Sequence, residues 1–231
     1  MCQAGYGAGA SISEFRTATS REALKRLTQR NASHPQRSEH VYHFVERLRL
    51  NWLLAHLPPR AVWAAYVFLN SFVTIGLLAL VAVLTRNPFV FPSLGPTAYL
   101  FFFSPLAEAS APRNAIYGHA IGLACGFFAY YVTGMHAFPQ GAPGHVYWPR
   151  ILASALALSL TGAFMVLSRV NHPPAGATTM IVSLGILAKP QYLPIIEMAV
   201  ILLVIQAWLI NRLAGLPYPT WCAKPRTDLD R

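Results

Sequence analysis

Most of the side chains that could do chemistry here sit in two short stretches of an otherwise apolar chain. The first, Pro88 to Ser104, reads PFVFPSLGPTAYLFFFS and carries Ser93, Gly95 and Thr97. The second, His172 to Leu187, reads HPPAGATTMIVSLGIL and carries His172, Gly176, Thr178 and Thr179. Ser93 and Thr97 are four apart, which is one face of a helix. What these residues offer is neutral hydrogen bonding. Hydroxyls beside the open N–H groups and positive dipole end of a helix start can hold a small anion. No buried Lys or Arg is then needed, whose charge would bind the anion too tightly to release it. Gly95 and Gly176 would allow close backbone approach. Two ionisable residues in other apolar segments, His119 and Glu197, are candidates for carrying a coupling proton, since ionisable groups at membrane depth are functional candidates by default.

Each of these residues also has a plainer use. His172 could cap or tether the second stretch, gate or touch a substrate, or bind a metal. Thr97 and Thr178 could bond backbone left open by proline. Glu197 lies close to a helix start, where an acid suits the dipole. Gly118, Gly122 and Gly126 repeat every four residues, which reads as a close helix-packing face. No metal-ligand spacing is present, and no catalytic residue or cofactor is expected. Gly-x-Ser-x-Gly and His-Glu-x-x-His are both missing, and acid is too scarce for a carboxylate pair. Cys2, Cys125 and Cys222 stand at unrelated spacings and suggest no disulfide framework.

The elements that must position the site are apolar helices. Val62 to Leu84, Asn114 to Thr133, Ile151 to Ser168 and Leu193 to Asn211 are each long enough to cross a bilayer core. The two polar stretches are shorter and interrupted by proline. Each suits an extended lead-in followed by a half-helix with proline in its first turn. Such backbone survives in a bilayer only where protein or a watery cavity covers it. Ahead of these, residues 38–60 place Val41, Phe44, Val45, Leu48 and Trp52 at helical spacing. They predict an amphipathic helix, either at the membrane interface or packed on its own protein. Residues 1–37 read as a flexible basic tail, 61–213 as the transmembrane domain and 214–231 as a C-terminal tail.

The two polar stretches match each other. Pro92, Gly95 and Thr97 recur as Pro173, Gly176 and Thr178, and the lead-ins match through Arg86 and Arg169. The fold class expected is therefore all-α integral membrane, built from two units of span, broken half-helix and span. Duplicated units with sites at discontinuous helices are a common transporter device. If the half-helices cross, six passes result and the second unit is inverted. If they re-enter, four spans result and the units are parallel.

Charge supports a multi-pass membrane protein. Only 11% of the chain is charged, against about a quarter in soluble domains. Of the 18 Lys and Arg, 13 flank the stretch from Ala61 to Asn211, nine before it and four after, which predicts cytoplasmic termini rather than nucleic-acid binding. The N-terminus lacks the apolar core of a signal peptide. The bilayer is one partner, and a homo-oligomer is compatible with the sequence.

With Asn87 ahead of the first stretch and Asn171-His-Pro-Pro-Ala-Gly-Ala-Thr-Thr179 opening the second, the chain resembles the HPP family of integral membrane proteins over about Trp63 to Leu213. The resemblance implies a compact membrane domain. Some members are assigned to nitrite transport across chloroplast or cyanobacterial membranes. The resulting expectation is a transporter or channel for a small inorganic anion, nitrite-like, in a bacterial inner membrane. A scaffold recruiting a partner through its basic tail, or an intramembrane enzyme, are the alternatives.

Overall fold

The computed structural model describes residues 50–138 and 147–223. Among these there are seven α-helices and no strand. They are α1 (Leu50–His56), α2 (Pro59–Thr85), α3 (Leu94–Phe103), α4 (Pro112–Val132), α5 (Trp148–Leu167), α6 (Ala175–Ser183) and α7 (Tyr192–Leu213). Four of them, α2, α4, α5 and α7, are long and apolar enough to cross a membrane. They match the four apolar runs of the sequence to within a few residues. The two proline-broken stretches become the short helices α3 and α6. Proline stands in the first turn of α3 and at the N-cap of α6. There it breaks no helical hydrogen bond, because those N–H groups have no partner one turn earlier.

The chain forms two compact units. The smaller holds α1, the start of α2 and Leu213 to Leu216, where the Leu50 amide donates to the Ala214 carbonyl at 3.1 Å. Of the amphipathic segment expected over 38–60, only Leu50–His56 and the start of α2 fall among the described residues. The larger unit runs from Val67 to Arg212 and resumes at Pro217.

Within the larger unit, hydrogen bonds gather the loops at two ends. At one end, the Arg113 amide donates to the Trp221 carbonyl at 3.0 Å, and the Tyr218 hydroxyl donates to Ser110 O. The Arg113 guanidinium donates to the Arg169 and Ser168 carbonyls at 3.0 and 3.3 Å. At the other end, Tyr130 and Met135 pack with Ala153 and Ala188. Thus α5 leads to the first end, α6 leads away from it to the second, and α7 returns. Short as it is, α6 with its flanking residues joins opposite ends of the bundle.

Helix ends follow local chemistry. At α6 the Gly185 amide bonds Val182 O and the Ile186 amide bonds Ile181 O, both at 3.0 Å, with Gly185 left-handed at φ 77°. At α5 the same pair of bonds forms around Arg169, which is left-handed at φ 52°. The residue that the sequence pairs with it, Arg86, is also left-handed, at φ 54°. Cys125 is free and buried.

The α4 face carrying Gly118, Gly122 and Gly126 lies directly on α6 and its lead-in. A Cβ on Gly118 would stand 2.8 Å from His172 Cβ. On Gly122 it would stand 2.7 Å from Thr179 Oγ1 and 2.8 Å from Ala175 O, and on Gly126 2.8 Å from Thr179 O. The absence of side chains is what brings the two helices together.

Candidate functional site: a buried imidazole and hydroxyl centre

Five polar side chains from four segments converge where α3, α4 and α6 meet. Ser93 and Thr97 come from the start of α3, His119 from the middle of α4, His172 from the lead-in to α6, and Thr178 from α6 itself. All five are fully buried. Helical spacing explains the pairing on α3, since Ser93 and Thr97 project from one face and Thr97 Oγ1 donates back to the Ser93 carbonyl at 3.0 Å.

The bonds between segments form a connected network. Ser93 Oγ and Thr178 Oγ1 are 2.7 Å apart, which joins the two half-helices directly. His119 lies between them, with Nε2 3.0 Å from Thr97 Oγ1 and Nδ1 2.6 Å from Thr178 Oγ1. His172 Nε2 is 3.4 Å from Thr97 Oγ1, and its Nδ1–H donates to the Ala109 carbonyl at 2.7 Å. The two imidazole centroids are 5.0 Å apart. Among the described residues no Lys, Arg, Asp or Glu side chain joins these bonds, so the centre is built of hydroxyls and imidazoles.

Of the residues singled out in the sequence, Ser93, Thr97, His119, His172 and Thr178 are therefore brought together. Thr179 is turned to the side, with its hydroxyl 2.9 Å from Thr161 Oγ1 of α5 and donating to Ala175 O at 3.1 Å. Glu197 stands apart on α7, with both carboxylate oxygens buried and without a hydrogen-bond partner.

No facing helix approaches Gly95: among the described residues outside its own helix turn, no heavy atom lies within 4 Å of where its Cβ would be. Gly176 is only moderately confined, by Leu158 Cδ1 at 3.3 Å. The open N–H groups expected at the half-helix starts are also already used. Leu94 and Gly95 donate to Phe91 and Pro92 carbonyls, and Ala175, Gly176 and Ala177 donate to His172, Pro173 and Pro174 carbonyls. Both half-helices begin with tight i to i−3 turns, as proline-rich starts favour. Side chains, rather than backbone, are the donors this centre presents.

Reasoning from sequence passed over Thr161 and the Ala109 carbonyl. Thr161 looked like any hydroxyl within a span. A backbone carbonyl carries no residue-type signal at all.

A family model for the HPP transmembrane region matches residues 57–219. The chain belongs to the HPP transmembrane family. No curated protein and no solved structure matches it. The matched region of this HPP chain contains all four spans, both half-helices and every residue of the buried centre. The tether from His172 to Ala109 thus places the first residue of the His-Pro-Pro tripeptide in the centre, with the two prolines turning the chain into α6.

Proposed function

We propose that this HPP-family chain moves a small inorganic anion across a membrane, with Ser93, Thr97, His119, His172 and Thr178 as its binding residues. The observation that carries the reading is the convergence of these five groups, all fully buried, at the meeting of two broken helices. Polar groups are costly at membrane depth and are kept there for a use. In this structure the donors of the centre are bonded to acceptors within it and to the Ser93 and Ala109 carbonyls. An anion entering between the half-helices would take hydroxyl and imidazole hydrogens that now bond within the network. Neutral donors bind weakly enough to allow release on the far side. No chemical conversion of the anion is part of this reading.

The repeat and topology fit the same proposal. The matched left-handed arginines at the ends of α2 and α5 support two related units, and the end-to-end course of α6 supports six passes with the units inverted. The basic tails support cytoplasmic termini.

A second reading is favoured by the bonds already made within the centre, in which they only lock the half-helices together. Flux of nitrite, nitrate, formate and chloride into sealed vesicles containing the purified chain tests both. Thr97→Val and Thr178→Val should weaken apparent affinity for the transported anion by roughly three- to thirty-fold. Thr161→Val, in the neighbouring pair, should lower thermal stability and leave affinity alone. If all three variants lose only stability, the centre is a structural lock. Absence of flux for every anion would remove the transport reading.

A further inference from the structure

We propose that the centre takes its anion together with one proton, held at Nε2 of His172, an inference that rests on the anion-binding reading above. It comes from counting hydrogens. The Ala109 carbonyl can only accept, so His172 Nδ1 carries the ring hydrogen and Nε2 of the neutral ring is a lone pair. That lone pair faces Thr97 Oγ1. Thr97 has one hydroxyl hydrogen, and the Ser93 carbonyl, another pure acceptor, lies closer to it at 3.0 Å than His172 Nε2 does at 3.4 Å.

His119 does not relieve the shortage in either tautomer. With its hydrogen on Nε2 it donates to Thr97, while Thr178 donates to Nδ1 and Ser93 donates to Thr178. Every hydroxyl hydrogen is then used once, and His172 Nε2 has no donor. With the hydrogen on Nδ1, two imidazole lone pairs face Thr97 and the shortage grows. One added proton on His172 Nε2 satisfies every atom: Thr97 Oγ1 accepts from both imidazoles and still donates to Ser93 O.

A lone imidazolium in a fully buried centre would lack a counter-charge, and burying an unpaired charge is costly. Among the titratable and charged groups of the described residues around it, none supplies one. An imidazole such as His119 carries no negative charge, and α3 and α6 contribute only hydroxyls. Glu108, beside Ala109 in the chain, makes no ion pair with either ring. Arg113 is committed to carbonyls at the end of α5, and the Tyr218 hydroxyl to Ser110 O. The proton and the anion therefore enter together, each removing the obstacle to the other.

Proton uptake on nitrite binding, followed by calorimetry of the full chain in detergent in buffers of different ionisation enthalpy, tests this. The expected result is close to one proton taken up per nitrite bound. Linkage then requires apparent affinity to fall about tenfold per pH unit where the free centre is unprotonated and the complex protonated. Binding is favoured at low pH and lost as pH rises through the value set by the complex. His172→Gln, which keeps a polar side chain without a titrating nitrogen, should abolish the uptake and flatten the pH dependence. Nitrite binding without proton uptake, or uptake that survives in His172→Gln, overturns the inference and leaves the anion site standing. No binding of nitrite, nitrate, formate or chloride overturns both.

Discussion

At the scale of single residues, hydrogen-bonding capacity decides which groups matter. Ser93, Thr97 and Thr178 have hydroxyls that both donate and accept, and two half-helices are joined through them. Losing one partner of a buried pair costs about 1–3 kcal/mol, because the other is left unsatisfied. Thr178→Ser keeps the hydroxyl and should retain stability and transport, whereas Thr178→Val strands both Ser93 and His119. Thermal unfolding in detergent beside vesicle flux reads the two quantities. The glycines divide by the space around them. Gly95→Ala should hold or raise the melting temperature, since its Cβ meets nothing and alanine favours helix. Gly122→Ala should lower stability by about 1–3 kcal/mol through overpacking against Thr179 and the Ala175 carbonyl. Equal behaviour of the two variants would contradict the α4–α6 packing described.

At the scale of elements, the helix ends set the geometry of the centre. Arg169 occupies a left-handed position that usually falls to glycine. Its carbonyl is bonded by Arg113 across the loop between α5 and α6, three residues from His172. The backbone here rather than the arginine side chain makes the connection, so Arg169→Gly should keep or raise stability by up to about 1 kcal/mol. Arg169→Val, β-branched at positive φ, should lower it by about 1–3 kcal/mol. Unfolding of both variants by heat checks the contrast, and a stable Arg169→Val would refute the cap. The half-helices themselves were legible because proline and glycine punctuate both stretches. Their tight first turns were not, since the i to i−3 bonds that consume the N–H groups depend on backbone dihedrals that residue types leave open.

At the scale of the whole molecule, the bonds of Arg113 and Tyr218 to their partners bring the residues after α7 beside the loop between α3 and α4. A six-pass arrangement puts those segments on one side of the bilayer, and a four-span arrangement puts them on opposite sides. Single cysteines at Glu108 and Ala137, labelled from either side of sealed vesicles, should report Glu108 on the side of the termini and Ala137 on the other. Both residues labelled from the same side, or Glu108 opposite the termini, would exclude six passes.

What the sequence alone determined is what depends on composition and short-range pattern. Four apolar runs had to be helices of about the length found, because a bilayer core sets that length and leaves backbone no other way to satisfy itself. Proline placed the breaks, and the four-residue glycine repeat marked the α4 packing face. Family membership rested on the same local motifs. Only the tertiary structure decided which polar residues share a site. His119 and Glu197 looked alike in sequence, each one ionisable group in an apolar run. The side-chain-free face of α4 brings His119 between Thr97 and Thr178, while Glu197 on α7 makes no hydrogen bond with any of the described residues. Likewise nothing in the sequence tells that the Ala109 carbonyl would orient His172, because a backbone acceptor is common to every residue and only the fold selects one.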